Sequence, residues 1–562
     1  MSRKLLRSLL SASLALVLII SAPITTRAQA YVGKPKLIVL IVIDQFRGDY
    51  LNRWRTDFKG RGFNLFMKDG AWFTDCYYDY ANTKTAPGHS TIGTGAYTDG
   101  HGIESNEWWD ASRSDEHKVS SVEDERYQLV DLPASSIPAN APGALPTAAK
   151  FLIGSSPRNL RATTLGDELR LATQGKSKVF GVSLKDRAAI LPVGQSANGA
   201  FWIDQASGQF TTSTYYMEHL PTWATQFNAS GRRAQAEREA QVEGTTQFYE
   251  LVGRTPAANA YELDFAKALI TGEKLGQSGV TDMISVSLSP NDIQGHQFGP
   301  DSEFQKQMVL SLDRDLDSFF TWLDKTVGLN NTWIALSADH GVAPVPGEAA
   351  DLGINATTVD MAKVYAYLND KLSASHGKAE YLMPGPELPY VILNKHAFEK
   401  AHISEQAAED EVAALLPDAV ASLPPRPDET TYPSQHRLAP TPTLSGTYTR
   451  LQLATGQYPQ SNQLGELLSH SYAYHGNWFV MMIVGAYQME GTSPRAGTTH
   501  FSPYSYDRHV PLAFYGAPFQ PGEYHNLVAP VDFAVTFASL AGVNRPSAAV
   551  GRVLTEAIKP VN

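Results

Sequence analysis

The chain has 562 residues, 46 of them Lys or Arg and 57 Asp or Glu, and its net charge of −11 excludes general nucleic-acid binding, which needs a basic surface. Its one cysteine, Cys76, excludes a disulfide framework and a structural zinc site built on thiolates. The length exceeds one ordinary core and suits a large α/β enzyme with insertions.

Residues 1–30 begin with Arg3, Lys4 and Arg7, continue as an apolar run from Leu9 to Ile20 and close on Ala28-Gln29-Ala30. A basic start, an apolar middle and an A-x-A end predict a secretory signal peptide cut after Ala30. The run is shorter than the roughly 20 residues of a membrane span, and no cysteine follows it to carry a lipid. The expectation is a periplasmic or secreted protein with no membrane anchor after cleavage.

Downstream, "LIVLIVI" at Leu37–Ile43 has the continuous apolar, β-branched character of a strand buried on both faces. Similar runs stand at Lys178–Leu184, Met283–Leu288, Thr332–Leu336, Phe479–Val484 and Pro511–Tyr515. Helical patterns lie between several of them. Thr164 suits an N-cap, with Asp167 and Glu168 in the first turn that follows. Glu303–Val327 places Phe304, Met308, Leu312, Leu316, Phe319 and Leu323 on one helical face. This alternation predicts an α/β fold with a central, mainly parallel sheet covered by helices on both faces. Roughly residues 341–475 differ, with proline-rich polar stretches and helical patterns around Val359–Leu372 and Glu405–Leu416. They are expected to form an inserted cap or accessory region within a catalytic domain spanning 31–562, the alternative being a separate binding domain. The charged segment 109–156 receives no role.

The strand patterns end in chemistry. The first stops at Asp44, the third is followed by Asp292 and His296, and the fourth runs into Asp339 and His340. His500 and His509 precede the last run. Ligands of open α/β sheets collect beyond the carboxyl ends of the strands, so these groups are expected to converge. Singly, each is an ordinary turn or capping residue; together they offer the carboxylate oxygen and imidazole nitrogen that zinc accepts. Their number suggests two metals, a pair suited to the in-line displacement at a phosphoryl group. "NTKTAPGHSTIGTG" at residues 82–95 gathers hydroxyls before a helix, and a metal can activate such a hydroxyl as a nucleophile.

The segments "DQFRGDY", "TKTAPGHSTIGTG", "HGIESNEWWD", "SLKDRAAILP", "DIQGHQFGP", "ADHG" and "GTTHFSPYSYDRHVP", in this order, resemble the alkaline phosphatase superfamily. Within it they are most similar to the bacterial exported, zinc-dependent alkaline phosphatases with a threonine nucleophile. "KTAPGH" also resembles the corresponding site of nucleotide pyrophosphatase/phosphodiesterases. The resemblance implies an alkaline-phosphatase-like fold and Thr85 as nucleophile, Thr83 standing two residues too early. It implies one zinc ion held by Asp44, Thr85, Asp339 and His340, and a second held by Asp292, His296 and His500. His500 is preferred to His509 by its place in "GTTHFSPY". Asn106, Lys185 and Arg187 are implied as contacts of the phosphate oxygens, with Lys185 also taking the place of a third, magnesium site. Phe501 stands where the family commonly has glycine.

The expected activity is hydrolysis of phosphate monoesters through a covalent phosphothreonine at a two-zinc site. The alternative is an exported phosphodiesterase or nucleotide pyrophosphatase using the same threonine and zinc pair. A monoester has three non-bridging oxygens with charge spread over them in a loose transition state. A Lys-x-Arg pair that extends from one side of a continuing strand could grip them, which favours monoesters. Sulfatases of the superfamily need a modified cysteine or serine in the nucleophile motif, and Cys76 lies outside it. An inactive zinc-stabilised binding protein would have no need of the intact nucleophile.

Overall fold

The computed structural model describes residues 33–110, 113–132, 153–424, 440–459 and 461–560. The expected signal peptide lies outside them, as do parts of the 109–156 segment and of the proline-rich insertion. The strands used below are β1 (Leu37–Ile43), β2 (Ala71–Tyr77), β3 (Val179–Ser183), β4 (Gly199–Ile203), β5 (Phe210–Thr211), β6 (Asp282–Leu288), β7 (Thr332–Ser337), β8 (Tyr390–Leu393), β9 (Leu444–Thr449), β10 (Trp478–Val484), β11 (His509–Tyr515) and β12 (Gly522–Tyr524).

The central sheet has the order β12-β2-β11-β7-β1-β6-β3-β4-β5. Its middle is parallel: β1 pairs with β6 and β7, β6 with β3, and β3 with β4. β11 runs antiparallel to β7 and to β2. Every residue of β1 is fully buried. Because alternate side chains point to opposite faces, both faces of the sheet are covered there, as the unbroken apolar pattern predicted.

The parallel middle brings the ends of β7, β1, β6 and β3 to one edge. The chain entering β11 reaches the same edge, because that strand runs the opposite way. β2 runs with β7, so the loop after it also emerges there and leads into α1 (Thr85–Thr94). The helix predicted after Thr164 is α2 (Leu165–Ala172), closed by a capping box between Thr164 and Asp167. β3 leads into the short helix α3 (Asp186–Ile190), and β6 into α4 (Pro290–Phe298). The long helix predicted next is α5 (Glu303–Thr326), which buries Met308, Leu312, Leu316, Phe319 and Leu323. Phe304, expected on that face, is instead 60% exposed and stacks on Phe298 at the end of α4.

The apolar run at Phe479–Val484 is not a strand of the central sheet. It lies in β10, the middle of a separate antiparallel sheet of order β8-β10-β9. An apolar run of this length marks a middle strand but not which sheet contains it. This sheet shares a core with α6 (Met361–His376) and α7 (Glu405–Ala421), where Val364, Leu368, Val412, Leu416, Val480 and Met482 pack together. The inserted unit therefore continues past residue 475 through Val484.

Candidate active site

The edge described above gathers the ligand candidates. Asp292, His296 and His500 present ligand atoms within 4.8 Å of one another, and so do Asp44, Asp292 and His340. The two sets meet at Asp292 and at the stacked rings of His340 and His500, whose centroids are 3.6 Å apart. Asp339 closes on the second set: its Oδ2 lies 3.6 Å from His340 Nε2, which in turn lies 3.5 Å from Asp44 Oδ1. The shared carboxylate was expected in one set only; the parallel pairing of β1 with β6 sets Asp292 facing Asp44 as well as the histidines.

The histidines are oriented alike. Nδ1 of His296 lies 2.9 Å from the Thr498 carbonyl, Nδ1 of His340 2.9 Å from the Gly341 carbonyl, and Nδ1 of His500 2.5 Å from the Thr83 carbonyl. A carbonyl can only accept, so each Nδ1 carries a proton and each Nε2 is turned toward the carboxylates. Burial lowers the pKa of His340 and, helped by its neighbours His340 and His296, that of His500. Both rings are therefore held in the neutral form that binds metal. Burial also disfavours charge on His296, but the Asp292 carboxylate outweighs it and raises that pKa.

Asp44 Oδ1, Asp339 Oδ2 and His340 Nε2 are buried and have no hydrogen-bond partner among the described residues. Burial, then the adjacent Asp292 and Asp339, push the Asp44 carboxyl well above its ordinary range. A buried polar atom left unpaired costs about 1–3 kcal/mol, and these three atoms point at one another. Oxygen and nitrogen donors arranged in this way fit a divalent cation of the zinc type.

Lys185 meets the expectation only in part. β3 stops at Ser183, so Lys185 and Arg187 do not extend side by side from a strand; Lys185 caps α3 and Arg187 lies within its first turn. The chain turns into a helix at Asp186, where an aspartate suits the first turn and Ala188 and Ala189 are good helix formers. Lys185 Nζ lies 2.6 Å from Asp44 Oδ2 and 2.5 Å from Asp292 Oδ2. Burial opposes the ammonium charge, yet Asp292 and Asp44 raise its pKa above the ordinary value. The same contacts hold the Asp292 carboxyl well below its usual range, against the effect of burial. Arg187 Nε is buried without a hydrogen-bond partner among the described residues, and the guanidinium lies 3.9 Å from the Asp186 carboxylate.

The two threonines differ in what holds them. Thr83 Oγ1 accepts from the N–H groups of Phe501 and Ser502, each at 3.2 Å. Together with its carbonyl bond to His500, this makes Thr83 the brace of the His500 loop. Thr85 is the first residue of α1, is buried, and its hydroxyl makes no hydrogen bond among the described residues. Its turn is docked on Asp339 through Gly88, where a Cβ would stand 2.3 Å from the Asp339 carbonyl oxygen. Asn106 Oδ1 accepts from the Ala86 N–H at 2.9 Å, which leaves its NH2 group to donate elsewhere. His509 lies apart from both ligand sets, with Nε2 2.8 Å from the Thr74 carbonyl and its ring stacked on Tyr77.

Residues outside the expected ligand and contact sets complete the surroundings. His89 Nε2 lies 2.7 Å from Ser287 Oγ, and its Nδ1 2.9 Å from the Thr85 carbonyl and 3.3 Å from Asp339 Oδ2. Its place one turn after Thr85 was the available signal. Phe501 has φ +100°, a left-handed conformation that explains why glycine suits this position. Its ring packs edge-on against His500, with Lys84 Nζ 4.5 Å from its centroid.

The sequence pattern of the family described as Type I phosphodiesterase / nucleotide pyrophosphatase matches residues 38–437. The chain is 32% identical over 564 residues to the alkaline phosphatase PhoV of Synechococcus elongatus, covering 94% of each. It is 32% identical over 580 residues to the alkaline phosphatase PafA of Elizabethkingia meningoseptica, covering 96% of this chain and 98% of that one. The crystal structure of wild-type PafA matches with a TM-score of 0.79 at 31% identity, covering 94% of this chain and 100% of that chain. With the fold and the ordered motifs in agreement over most of its length, the chain belongs to the type I phosphodiesterase / nucleotide pyrophosphatase family, within the alkaline phosphatase superfamily.

Proposed function

We propose that the protein is an exported alkaline phosphatase, a phosphomonoester hydrolase that releases inorganic phosphate through a covalent phosphothreonine at Thr85. The observation that carries this reading is the convergence of the unpartnered Asp44 Oδ1, Asp339 Oδ2 and His340 Nε2 beneath the turn that presents the free Thr85 hydroxyl. Asp44, Asp339 and His340 with Thr85 would hold one zinc ion, and Asp292, His296 and His500 the other. When bound, such a pair supplies Lewis acidity that makes the hydroxyl a better nucleophile and offsets charge on the leaving oxygen.

The charges of the chain support a dianionic substrate. Three carboxylates and the Lys185 ammonium leave a net negative site, and two divalent cations reverse its sign. Thr85 Oγ1 attacks phosphorus as the bond to the departing alcohol breaks, the hydroxyl proton ending on that alcohol; water then attacks the phosphothreonine as the bond to Oγ1 breaks, one water proton returning to Oγ1 and phosphate leaving. Lys185 has three N–H donors and commits two to Asp44 and Asp292, keeping one for a phosphate oxygen. Arg187 and the NH2 of Asn106 are free to take others. The PhoV and PafA relatives carry the same name of alkaline phosphatase. Export rests on the character of residues 1–30.

The second reading, an exported phosphodiesterase, is favoured by the family description. Arg187 opposes it, because a diester caps one of the oxygens the guanidinium would grip. The test is a paired assay of para-nitrophenyl phosphate and its bis-ester, with chelator and with zinc added back. A zinc-restored preference for the monoester is expected; preference for the bis-ester would move the protein to the second reading.

A further inference from the structure

Gln45 follows Asp44 at the end of β1, is fully buried, and has φ +59°. That left-handed conformation is strained for a residue other than glycine, and such strain persists only where surrounding contacts enforce it. Here the contacts are specific. The Gln45 backbone N–H donates to Asp339 Oδ1 at 3.0 Å, and its Nε2 donates to Asp292 Oδ1 at 2.8 Å. One residue therefore holds a carboxylate from each side of the site. The carboxamide is fitted from behind by Gly295, where a Cβ would stand 2.1 Å from Gln45 Oε1. Gly295 directly precedes His296 on α4, so the space left by its missing side chain and the position of Gln45 are linked.

We infer that Gln45 is a positioning residue that ties the two ligand sets together: its turned backbone fixes Asp339, and its side chain fixes Asp292 toward His296 and His500. This rests on the two-zinc reading. The backbone donor survives any substitution except proline, whereas the side-chain donor does not. The two contacts can therefore be separated. Asn tolerates the left-handed conformation but is one methylene too short to reach Asp292, so Gln45→Asn removes one contact and leaves the other. Gly295→Ala displaces the carboxamide without altering Gln45.

The experiment is to dialyse the full-length mature protein and both variants against graded chelator buffers and to measure bound zinc by metal analysis. The wild type should retain two ions over a common range. In each variant one ion should be lost at free zinc concentrations about 10- to 100-fold higher, the usual effect of removing a partner of a metal ligand, while the other is retained as in the wild type. A wild type that never holds two ions overturns the two-zinc reading itself. A wild type that holds two, with both variants unchanged or losing both ions together, overturns the role assigned to Gln45.

Discussion

Lys84 Nζ lies 2.5 Å from Glu387 Oε1, so the residue before the proposed nucleophile is paired with a carboxylate of the inserted unit. The lysine side chain is fully buried and also donates to Ser105 Oγ at 3.1 Å, next to Asn106. Glu387 Oε2 accepts from Lys118 at 3.0 Å. One carboxylate thus joins the start of α1, the Asn106 segment and the insertion. Removing one partner of a buried pair leaves an uncompensated charge, at a cost of about 3–5 kcal/mol. Glu387→Ala should destabilise the protein by about 3 kcal/mol, the lower end of that range, since the glutamate is a quarter exposed. Chemical denaturation of the variant beside the wild type measures this. A change within error would show that the ammonium finds water instead.

The same pair has a pH signature. Burial opposes ionisation of Glu387, but Lys84 and Lys118 outweigh it and pull the carboxyl down to about 2. A carboxyl depressed on folding contributes stability above its unfolded pKa, and that contribution is lost as pH falls toward the folded value. The stability gap between wild type and Glu387→Gln should therefore be full at pH 7 and shrink from about pH 4.5 toward pH 2. Melting temperatures of both proteins, recorded in chelator so that zinc loss does not enter, provide the check. A gap as wide near pH 2.5 as at pH 7 would assign the effect to packing.

Much of the site was legible because its signals are local. Asp44, Asp292, Asp339 and His340 each follow a strand whose apolar run is visible, and the parallel order brings those ends together. The pairing of Lys84 with Glu387 spans 303 residues, and nothing in either neighbourhood announces it. Gln45 was hidden for a different reason: its left-handed backbone depends on carboxylates that follow β6 and β7, not on its own sequence. The Lys-x-Arg pair shows the opposite failure. Its spacing was informative only if the strand continued, and the chain turned into α3 instead. The run now in β10 was correctly a middle strand, but hydrophobicity cannot name the sheet.

Thr83 and Thr85 should behave differently when changed. Thr85→Ala removes the proposed nucleophile and should lower kcat by a factor on the order of 10⁴–10⁶, as loss of a nucleophile does. Zinc content should remain close to that of the wild type, since the carboxylate and imidazole ligands stay. Thr83→Val removes the hydroxyl that accepts from Phe501 and Ser502, loosening the loop that carries His500. Its activity should fall at low zinc and recover when zinc is raised. Zinc-restored turnover in Thr85→Ala, or none in Thr83→Val, would exchange the two roles.

Arg187 is the proposed discriminator between the two substrate classes. Its guanidinium has a buried Nε with no hydrogen-bond partner, and its contact to Asp186 is too long to occupy it. Hydrogen bonds to a charged group are worth about 1.5–3 kcal/mol, so Arg187→Ala should lower kcat/KM for para-nitrophenyl phosphate by about 10- to 100-fold. The bis-ester presents one fewer free oxygen and should lose less. Lys185 is a poorer probe of the same question, because its removal also unbalances Asp44 and Asp292 and would disturb any bound metal. Arg187 touches neither carboxylate, so its variant should keep the zinc content and the melting temperature of the wild type. With those two controls satisfied, equal losses on both esters would mean that the guanidinium serves general anion binding, and the argument for monoester preference would rest on Asn106 and Lys185 alone.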